Sequence, residues 1–428
     1  MIRTYIIECK LKREIADALN LNSGRIYSGI VSRHWRLLKQ KGLWLSEKSL
    51  TKLSDLRLAS RDLPMHAHTI DAAQQGFFKA CKTTRALRKA GFKEAKFPWR
   101  SKKFRTTIWK NTAIKFKAGN LEMSTGAGNP KIVIALPASM HEFRQFVEVR
   151  LVFDKKARKY TWHIVAETGK QAKVATGTNT VSVDPGEIHP AVVGDENSST
   201  VITCRERRSV QRGHAKNLKG FSKALARKTK GSRRHKKLLR SKSRCKAKFN
   251  RVMRDIEHKV SRAIVDEAVK RDANTIVYGD IRDLADGVDC GKEHNQRTSQ
   301  WAHGKVRQMV EYKAEAEGIK VVLQDEHYTS KTCPNCGNRH KPKGRTYRCP
   351  ACGFRGHRDV VGQINILSAF KHGSPGKIPA PLNVKYRIPV NYRVLRKYPD
   401  TGQAFFFLPV AWADSAQLAL FPQEATGF

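Results

Sequence analysis

Three short apolar runs follow one another between residues 180 and 204: Thr180-Val-Ser-Val-Asp184, Ala191-Val-Val-Gly-Asp-Glu196 and Thr200-Val-Ile-Thr-Cys204. Their brevity and the turns between them predict consecutive strands of an antiparallel meander. A long charged helical tract follows, from about 209 to 270. Then come a strand at Asn274-Thr-Ile-Val-Tyr278, a loop at Asp286-Gly-Val-Asp-Cys-Gly291, a helix over about 299–317 and a strand at Lys320-Val-Val-Leu-Gln324. Three strands, then helix, strand, helix, strand, describe one α/β layer structure.

That order is the order of an RNase H-like core. Upstream of it the patterning changes twice. Met1 to Lys10 alternates weakly and reads as a strand. Residues 14–91 carry helical periodicity interrupted at Asn20-Leu-Asn-Ser-Gly24, at Leu63-Pro64 and at Gly91, which predicts three or four helices. From 96 to 167, β-like runs at 112–117, 131–137, 146–153 and 160–167 alternate with turn residues, and a small β-barrel that takes up the first strand accounts for them. Beyond Gly373 the chain is first Pro-rich and later contains Phe405-Phe-Phe-Leu-Pro-Val-Ala-Trp412, with no role assigned.

Composition narrows the function. The chain has 428 residues, and 83 Lys and Arg against 37 Asp and Glu give a net charge of +46. A polyanion is the expected partner. With 40% hydrophobic residues the chain can bury enough apolar surface to fold, so it is not a disordered basic tail. Its most apolar stretch, 405–413, is about half of the roughly 20 residues a spanning helix needs. No signal peptide is expected, because Met1 to Ile7 passes directly into a charged segment, and the expected compartment is the cytoplasm or nucleoid of a prokaryotic cell.

Four of nine cysteines fall within twenty residues, as Cys333-Pro-Asn-Cys336 and Cys349-Pro-Ala-Cys352, each pair followed by Gly. Two thiolates at this spacing face one ion while the Gly lets the chain turn beneath it, so the four predict a closed, structural zinc site. Asp184 ends the first strand of the meander, and Asp359 in Gly356-His-Arg-Asp359 opens a helix directly after the knuckles. Carboxylates so placed project over a sheet end, where two or three can share Mg²⁺ ions that flank an in-line attack on phosphorus. A lone Asp at either position also serves as a turn or capping residue.

Arg205 to Arg254 contains 21 Lys and Arg and a single acidic residue. Such density repels itself unless phosphates lie beside it, which makes Arg233, Arg234, Lys236 and Lys237 candidate nucleic-acid contacts. The segment Lys96-Phe-Pro-Trp99-Arg100-Ser-Lys102-Lys103-Phe-Arg105 mixes cations with aromatics and is a second candidate, although an amphipathic β-edge reads the same way.

The series Val183-Asp184-Pro-Gly, Gly231-Ser-Arg-Arg-His-Lys-Lys237, Glu257-His-Lys-Val-Ser261, Ile276-Val-Tyr-Gly-Asp280, Tyr312-Lys313, Tyr328-Thr-Ser-Lys-Thr-Cys-Pro-Asn-Cys-Gly337 and Arg358-Asp359 with Asn365-Ile366 resembles TnpB. TnpB proteins are transposon-encoded RNA-guided DNA endonucleases related to miniature type V CRISPR effectors and to Fanzor proteins. The resemblance is close over about 181–367 and only in outline upstream. It implies a multidomain α+β chain: a wedge-like N-terminal β-barrel (1–10 and 93–178), a helical recognition insertion (11–92), a RuvC-like nuclease domain of RNase H-like fold (179–332 and 354–372) with an inserted zinc ribbon (333–353), and a tail (373–428). It further implies a guide RNA and a target DNA duplex as partners, cleavage beside a short adjacent motif, Mg²⁺ at a two-metal centre, structural Zn²⁺, and no membrane. A miniature CRISPR effector, a nuclease-dead guided repressor and an unguided zinc-ribbon DNA-binding protein are the alternatives. The loop at 286–296 resembles the family's active-site lid.

One departure stands out. The resemblance makes Asp184 and Asp359 the first and last catalytic carboxylates, but the strand at 276–278 is closed by Gly279 where a Glu is usual. Asp280 and Glu326 are the available replacements. A step of one residue along a strand turns a side chain to the opposite face, so Asp280 points away from Asp184 unless the strand bulges. Glu326 sits at the end of the neighbouring strand, just before Tyr328-Thr-Ser, and a Gly at 279 leaves room for it. Some TnpB and Fanzor relatives relocate the Glu in this way. Asp184, Glu326 and Asp359 are therefore the expected catalytic set.

Overall fold

The computed structural model describes residues 2–47, 49, 65–169, 171–175, 177–281, 291, 295 and 303–389. They divide into two compact units, Met1–Gln171 and Ala172–Phe428. The lid expected at 286–296 falls outside the described residues except for Gly291 and Asn295, and the apolar run at 405–412 falls wholly outside them.

In the first unit, strands β1 (Ile2–Glu8), β2 (Thr107–Lys110), β3 (Ile114–Lys117), β4 (Asn120–Met123), β5 (Ile132–Ala135), β6 (Gln145–Asp154) and β7 (Lys159–Glu167) form two antiparallel sheets, ordered β1-β7-β6-β2 and β3-β4-β5. The first strand does join the later ones, pairing with β7 from Ile2 opposite Glu167 to Glu8 opposite Thr161. Both sheets turn alternate residues into one core that includes Trp109, Leu121, Met123, Leu151, Trp162 and Ile164. Strands β2 and β4 were not expected from sequence, because at four residues each they are too short to show a period.

Two helices are described in this unit, α1 (Arg13–Lys41) and α2 (Ala67–Lys89). The expected break at Asn20-Leu-Asn-Ser-Gly24 is absent: α1 runs straight through it. Those residues are helix-weakening types retained for docking. Asn20 Oδ1 accepts from the backbone N–H and the hydroxyl of Thr107 at 3.0 and 2.8 Å, and Ser23 Oγ donates to Thr106 O at 3.3 Å. A Cβ on Gly24 would come within 2.6 Å of Lys102 O, so only Gly lets the strand entry lie against the helix.

The second unit is built on one six-stranded sheet. Its strands are β8 (Asn179–Asp184), β9 (Ala191–Gly194), β10 (Ser198–Ile202), β11 (Ala273–Asp280), β12 (Lys320–Asp325) and β15 (Asn383–Arg387), in the order β12-β11-β8-β9-β10-β15. The meander β8-β9-β10 is antiparallel, and β11 and β12 join on the β8 side in parallel. This is the arrangement the element order predicts. A further hairpin, β13 (Thr346–Arg348) with β14 (Arg355–His357), carries the cysteine knuckles.

The charged tract is two helices, α3 (Arg205–Ala226) and α4 (Arg233–Val269). Gly231 at φ 86° turns the chain between them, and Ser232 caps α4 by accepting from His235 N. The pair is antiparallel: His214 stacks on Phe249 with centroids 3.9 Å apart, and Lys242 reaches Ser222 at 3.3 Å. The second half of α4 and helix α5 (His303–Ala316) cover one sheet face, against Val181, Val183, Ile276 and Tyr278. Helix α6 (Arg358–His372) covers the other, where Ser182 Oγ donates to Gln363 O and Val360 meets Val192 and Val201.

Strand β15 gives the start of the tail a structural role. It extends the sheet in parallel beside β10, and its Arg387 reaches Glu267 Oε1 at 2.9 Å and Asp266 Oδ2 at 3.0 Å. Glu267 also receives Arg271 at 2.8 Å and Thr200 Oγ1 at 2.9 Å. Burial works against its charge, but the Arg271 and Thr200 hydrogen bonds outweigh it and hold the carboxyl down at about 2. A folded-state value below the ordinary 4.3 means stability that is present above that pH and lost as pH falls toward 2. Glu267→Gln is therefore expected to cost about 1–3 kcal/mol at pH 7, and urea melts across pH should show the gap closing between about 4.5 and 2.

Candidate active site and metal centre

The face of the sheet under α6 holds the candidate centre. Along β8 the side chains of Val181 and Val183 enter the core beneath α4, so Ser182 and Asp184 point toward α6. Parallel pairing sets Val183 beside Tyr278, which brings Gly279 next to Asp184. Tyr278 lies in the α4 side of the core, so position 279 faces the same way as Asp184 and Asp280 faces the other way.

The vacancy at 279 is filled by Glu326. A Cβ on Gly279 would fall on Glu326 Oε1 and lie 2.7 Å from its Cδ. A second vacancy lies opposite: a Cβ on Gly362 in α6 would come 2.6 Å from Asp184 Oδ2. Each glycine thus makes room for one carboxylate. Burial, then the charges of Glu326 and Asp359, push the Asp184 carboxyl well above the usual range, against Arg358 and Arg345. Burial, with Asp280 and Asp325 adding to it, pushes Glu326 up to about 8. Glu326 Oε1 is buried without a hydrogen-bond partner. A buried carboxylate oxygen without a hydrogen-bond partner, with a second carboxyl of raised pKa on the same sheet face, is a donor set that suits a hard divalent cation, so the residues fit Mg²⁺.

Asp359 occupies the first turn of α6, and His357 caps that helix by accepting from Asp359 N–H at 3.3 Å. Arg345, on the knuckle-bearing segment, donates to both Asp359 oxygens at 3.0 and 2.7 Å. The sequence gives no sign of this pairing, nor of His189, which lies near His357 at a ring separation of 5.5 Å. Asn365 is the fastener of the centre. Its Nδ2 donates to Thr329 O at 2.7 Å and Thr332 O at 2.8 Å, and Thr329 in turn holds Glu326 O at 2.9 Å. The chain between Glu326 and Cys333 is thereby tied to α6. Lys313 joins two further motifs, donating to Ser261 Oγ at 2.6 Å and His258 O at 2.7 Å.

The cysteines converge as their spacing predicts. The four sulfurs lie within 4.8 Å of one another, with Cys333 and Cys352 at 3.7 Å and Cys336 and Cys349 at 3.5 Å. The two knuckles repeat one geometry: Gly337 N–H donates to Cys333 O and Gly353 N–H to Cys349 O, with φ of 73° and 71°. The backbone N–H of Phe354 draws the Cys352 thiol down to about 6. Four converging sulfurs with no open position suit a structural zinc ion.

Of the candidate nucleic-acid contacts, Arg233, Arg234, Lys236 and Lys237 are exposed on the first turns of α4. Lys96, Trp99, Arg100, Lys102 and Lys103 are exposed as well, Trp99 with Arg100 over its ring at 5.1 Å. Arg105 is the exception. It turns inward beneath the Tyr27 ring and donates to Ala72 O at 3.2 Å, filling the space a side chain at Gly76 would take.

Two family models match the chain: one described as a probable transposase over residues 163–285, and one described as a Cas12f1-like TNB domain over residues 303–366. The TnpB-like protein MJ0751 of Methanocaldococcus jannaschii is 32% identical over 27% of this chain and 42% of its own. The CRISPR-associated endodeoxyribonuclease Cas12f1 of Sulfoacidibacillus thermotolerans is 35% identical over 26% of this chain and 25% of its own. The matched regions thus span less than half the length of these two relatives. A Cas12f1 solved with its sgRNA and target DNA shares the fold at a TM-score of 0.56, covering 83% of each chain at 13% identity. No described helix is long and apolar enough to cross a membrane. The chain has a mixed α/β fold similar to that of Cas12f1, and by sequence it is similar to the TnpB-like proteins and to Cas12f, as its motifs imply.

Proposed function

We propose that the chain is an RNA-guided, Mg²⁺-dependent DNA endonuclease of a transposon, cutting target DNA beside a short adjacent motif with a RuvC-like centre. The observation that supports this reading is that Gly279 leaves room for Glu326 and Gly362 for Asp184, on the face where Asp359 begins α6. A strongly basic protein has no use for clustered acids against a phosphate backbone unless they hold a cation. Bound there, Mg²⁺ would supply the positive charge that an in-line displacement at phosphorus requires. Asp184, Glu326 and Asp359 would hold it, and Glu326 would give up a proton as it did so. Asp280 takes no part, since it faces away from Asp184.

Guidance is proposed from charge and likeness together. The hairpin of α3 and α4 would line a path for guide RNA phosphates through Arg233, Arg234, Lys236 and Lys237. The two sheets of the first unit would form the wedge and the helices α1 and α2 the recognition insertion. Exposed Trp99 and Arg100, with Lys96, Lys102 and Lys103, would contact nucleic acid by stacking and charge. The four cysteines would hold a zinc ribbon on β13 and β14.

The deciding experiment is purification from the native locus with sequencing of bound RNA. A defined non-coding RNA should co-purify, and cleavage of a matched duplex should require it. Equal cutting by RNA-free protein at any sequence would overturn the reading. In the guided complex, Asp184→Ala, Glu326→Ala and Asp359→Ala should each lower Mg²⁺-dependent cleavage by roughly a thousandfold or more while target binding persists. Asp280→Ala should cut within about threefold of the parent, and gel-based cleavage and binding assays separate the two outcomes. For the cysteines, elemental analysis should find one tightly held zinc per chain, and Cys333→Ser should lose it together with the thermal transition of the second unit, because a closed site contributes folding free energy directly.

A further inference from the structure

Two histidines stand beside the acidic centre, and nothing derived so far uses them as ligands. His189 lies in the turn between β8 and β9, and His357 ends β14 and caps α6. One ligand atom from each, with a carboxylate oxygen of Asp359, lies within 4.8 Å of the other two. The imidazoles are set for donation in different ways. His357 spends Nδ1 on Asp359 N–H, which fixes its ring. Nε2 is left for another partner. His189 Nδ1 is buried and has no hydrogen-bond partner at all. A buried ring nitrogen without a partner is costly unless something fills the position.

The donor set selects the occupant. Mg²⁺ prefers oxygen ligands and keeps several waters, whereas two imidazole nitrogens and one carboxylate suit borderline transition ions. We propose that His189, His357 and Asp359 form a binding site for one divalent transition-metal ion of the zinc class, with solvent completing its coordination. Zinc ligands stand about 2.0–2.2 Å from the ion, so the three side chains draw together on binding. Arg345 is the built-in competitor, because its guanidinium sits on both Asp359 oxygens. The site differs from the cysteine cluster, which is closed and all sulfur, and it shares only Asp359 with the acidic centre. It does not depend on the nuclease reading.

The test uses the full chain with its cysteine site filled with zinc, titrated with Co²⁺ and followed by visible absorption. Binding of about one equivalent, with ligand-field bands and no thiolate charge transfer, is expected. His189→Asn and His357→Asn should each weaken it by at least about tenfold, Asn at 357 preserving a helix cap. Arg345→Ala should tighten it, and the paired change Asp184→Asn with Glu326→Gln should leave it in place. A parallel readout uses the Asp184→Asn, Glu326→Gln protein, in which the carboxylate pair no longer competes for the ion: Mn²⁺ bound to it should show nitrogen coupling in pulsed EPR. No Co²⁺ uptake, bands unchanged in both histidine variants, loss of binding only in the Asp184 and Glu326 variant, or Mn²⁺ without nitrogen coupling would each overturn the proposal.

Discussion

Two carboxyl groups, Glu326 and Asp184, take space that is free because no side chain stands at Gly279 and Gly362 respectively. The sheet, α6 and the segment leading to the cysteines are arranged around that constraint. Parallel pairing of β8 with β11 puts position 279 beside Asp184, and packing of α6 on the same face brings Gly362 against Asp184. Burial first, and neighbouring carboxylates second, raise both carboxyl pKa values, so the centre favours protonated carboxyls that a cation would have to displace protons from. Burying two carboxyl groups is costly, and the rest of the fold holds them there.

The restraint comes from neutral polar groups whose partners are all protein atoms. Gln363 is held by Ser182 and Ser199, and Asn365 by Thr329, Thr332 and Gly376. These side chains sit on α6 and are buried, so each hydrogen bond is worth more than a surface one and each missing partner would cost more. Arg345 brings the cysteine-bearing segment into the same network through Asp359. Movement of that segment and exposure of Asp359 are therefore linked in geometry. At the far side of the sheet the Glu267 cluster does similar work, fastening β15 to α4 and β10.

Basic charge is distributed by a different logic. In the hairpin of α3 and α4, apolar and aromatic contacts such as His214 on Phe249 form the seam, while most of the charged side chains are exposed and Arg207 is buried. In the first unit the basic segment 96–105 is divided. Most of it is exposed, but Arg105 is drawn beneath Tyr27 because Gly76 leaves a space and Ala72 a carbonyl. Density of positive charge marks the candidate segment in the sequence, and only packing decides which member leaves its surface.

Local pattern alone determined the order of the strands and helices in the second unit and the convergence of the four cysteines, and it set position 279 and Asp280 on opposite faces of their strand. Each follows from a short-range rule: strand alternation, knuckle spacing, or the opposite facing of neighbours in a strand. The continuity of α1 through Asn20 and Gly24 was hidden, because these residues weaken an isolated helix and serve it only through Thr106, Thr107 and Lys102, about eighty residues away. Strand β15, the Arg345–Asp359 pair and the approach of His189 to His357 were equally invisible. They join residues with no common period or spacing, so their pairing is fixed by the way the sheet and helices bring distant chain segments together, and only the tertiary structure decides it.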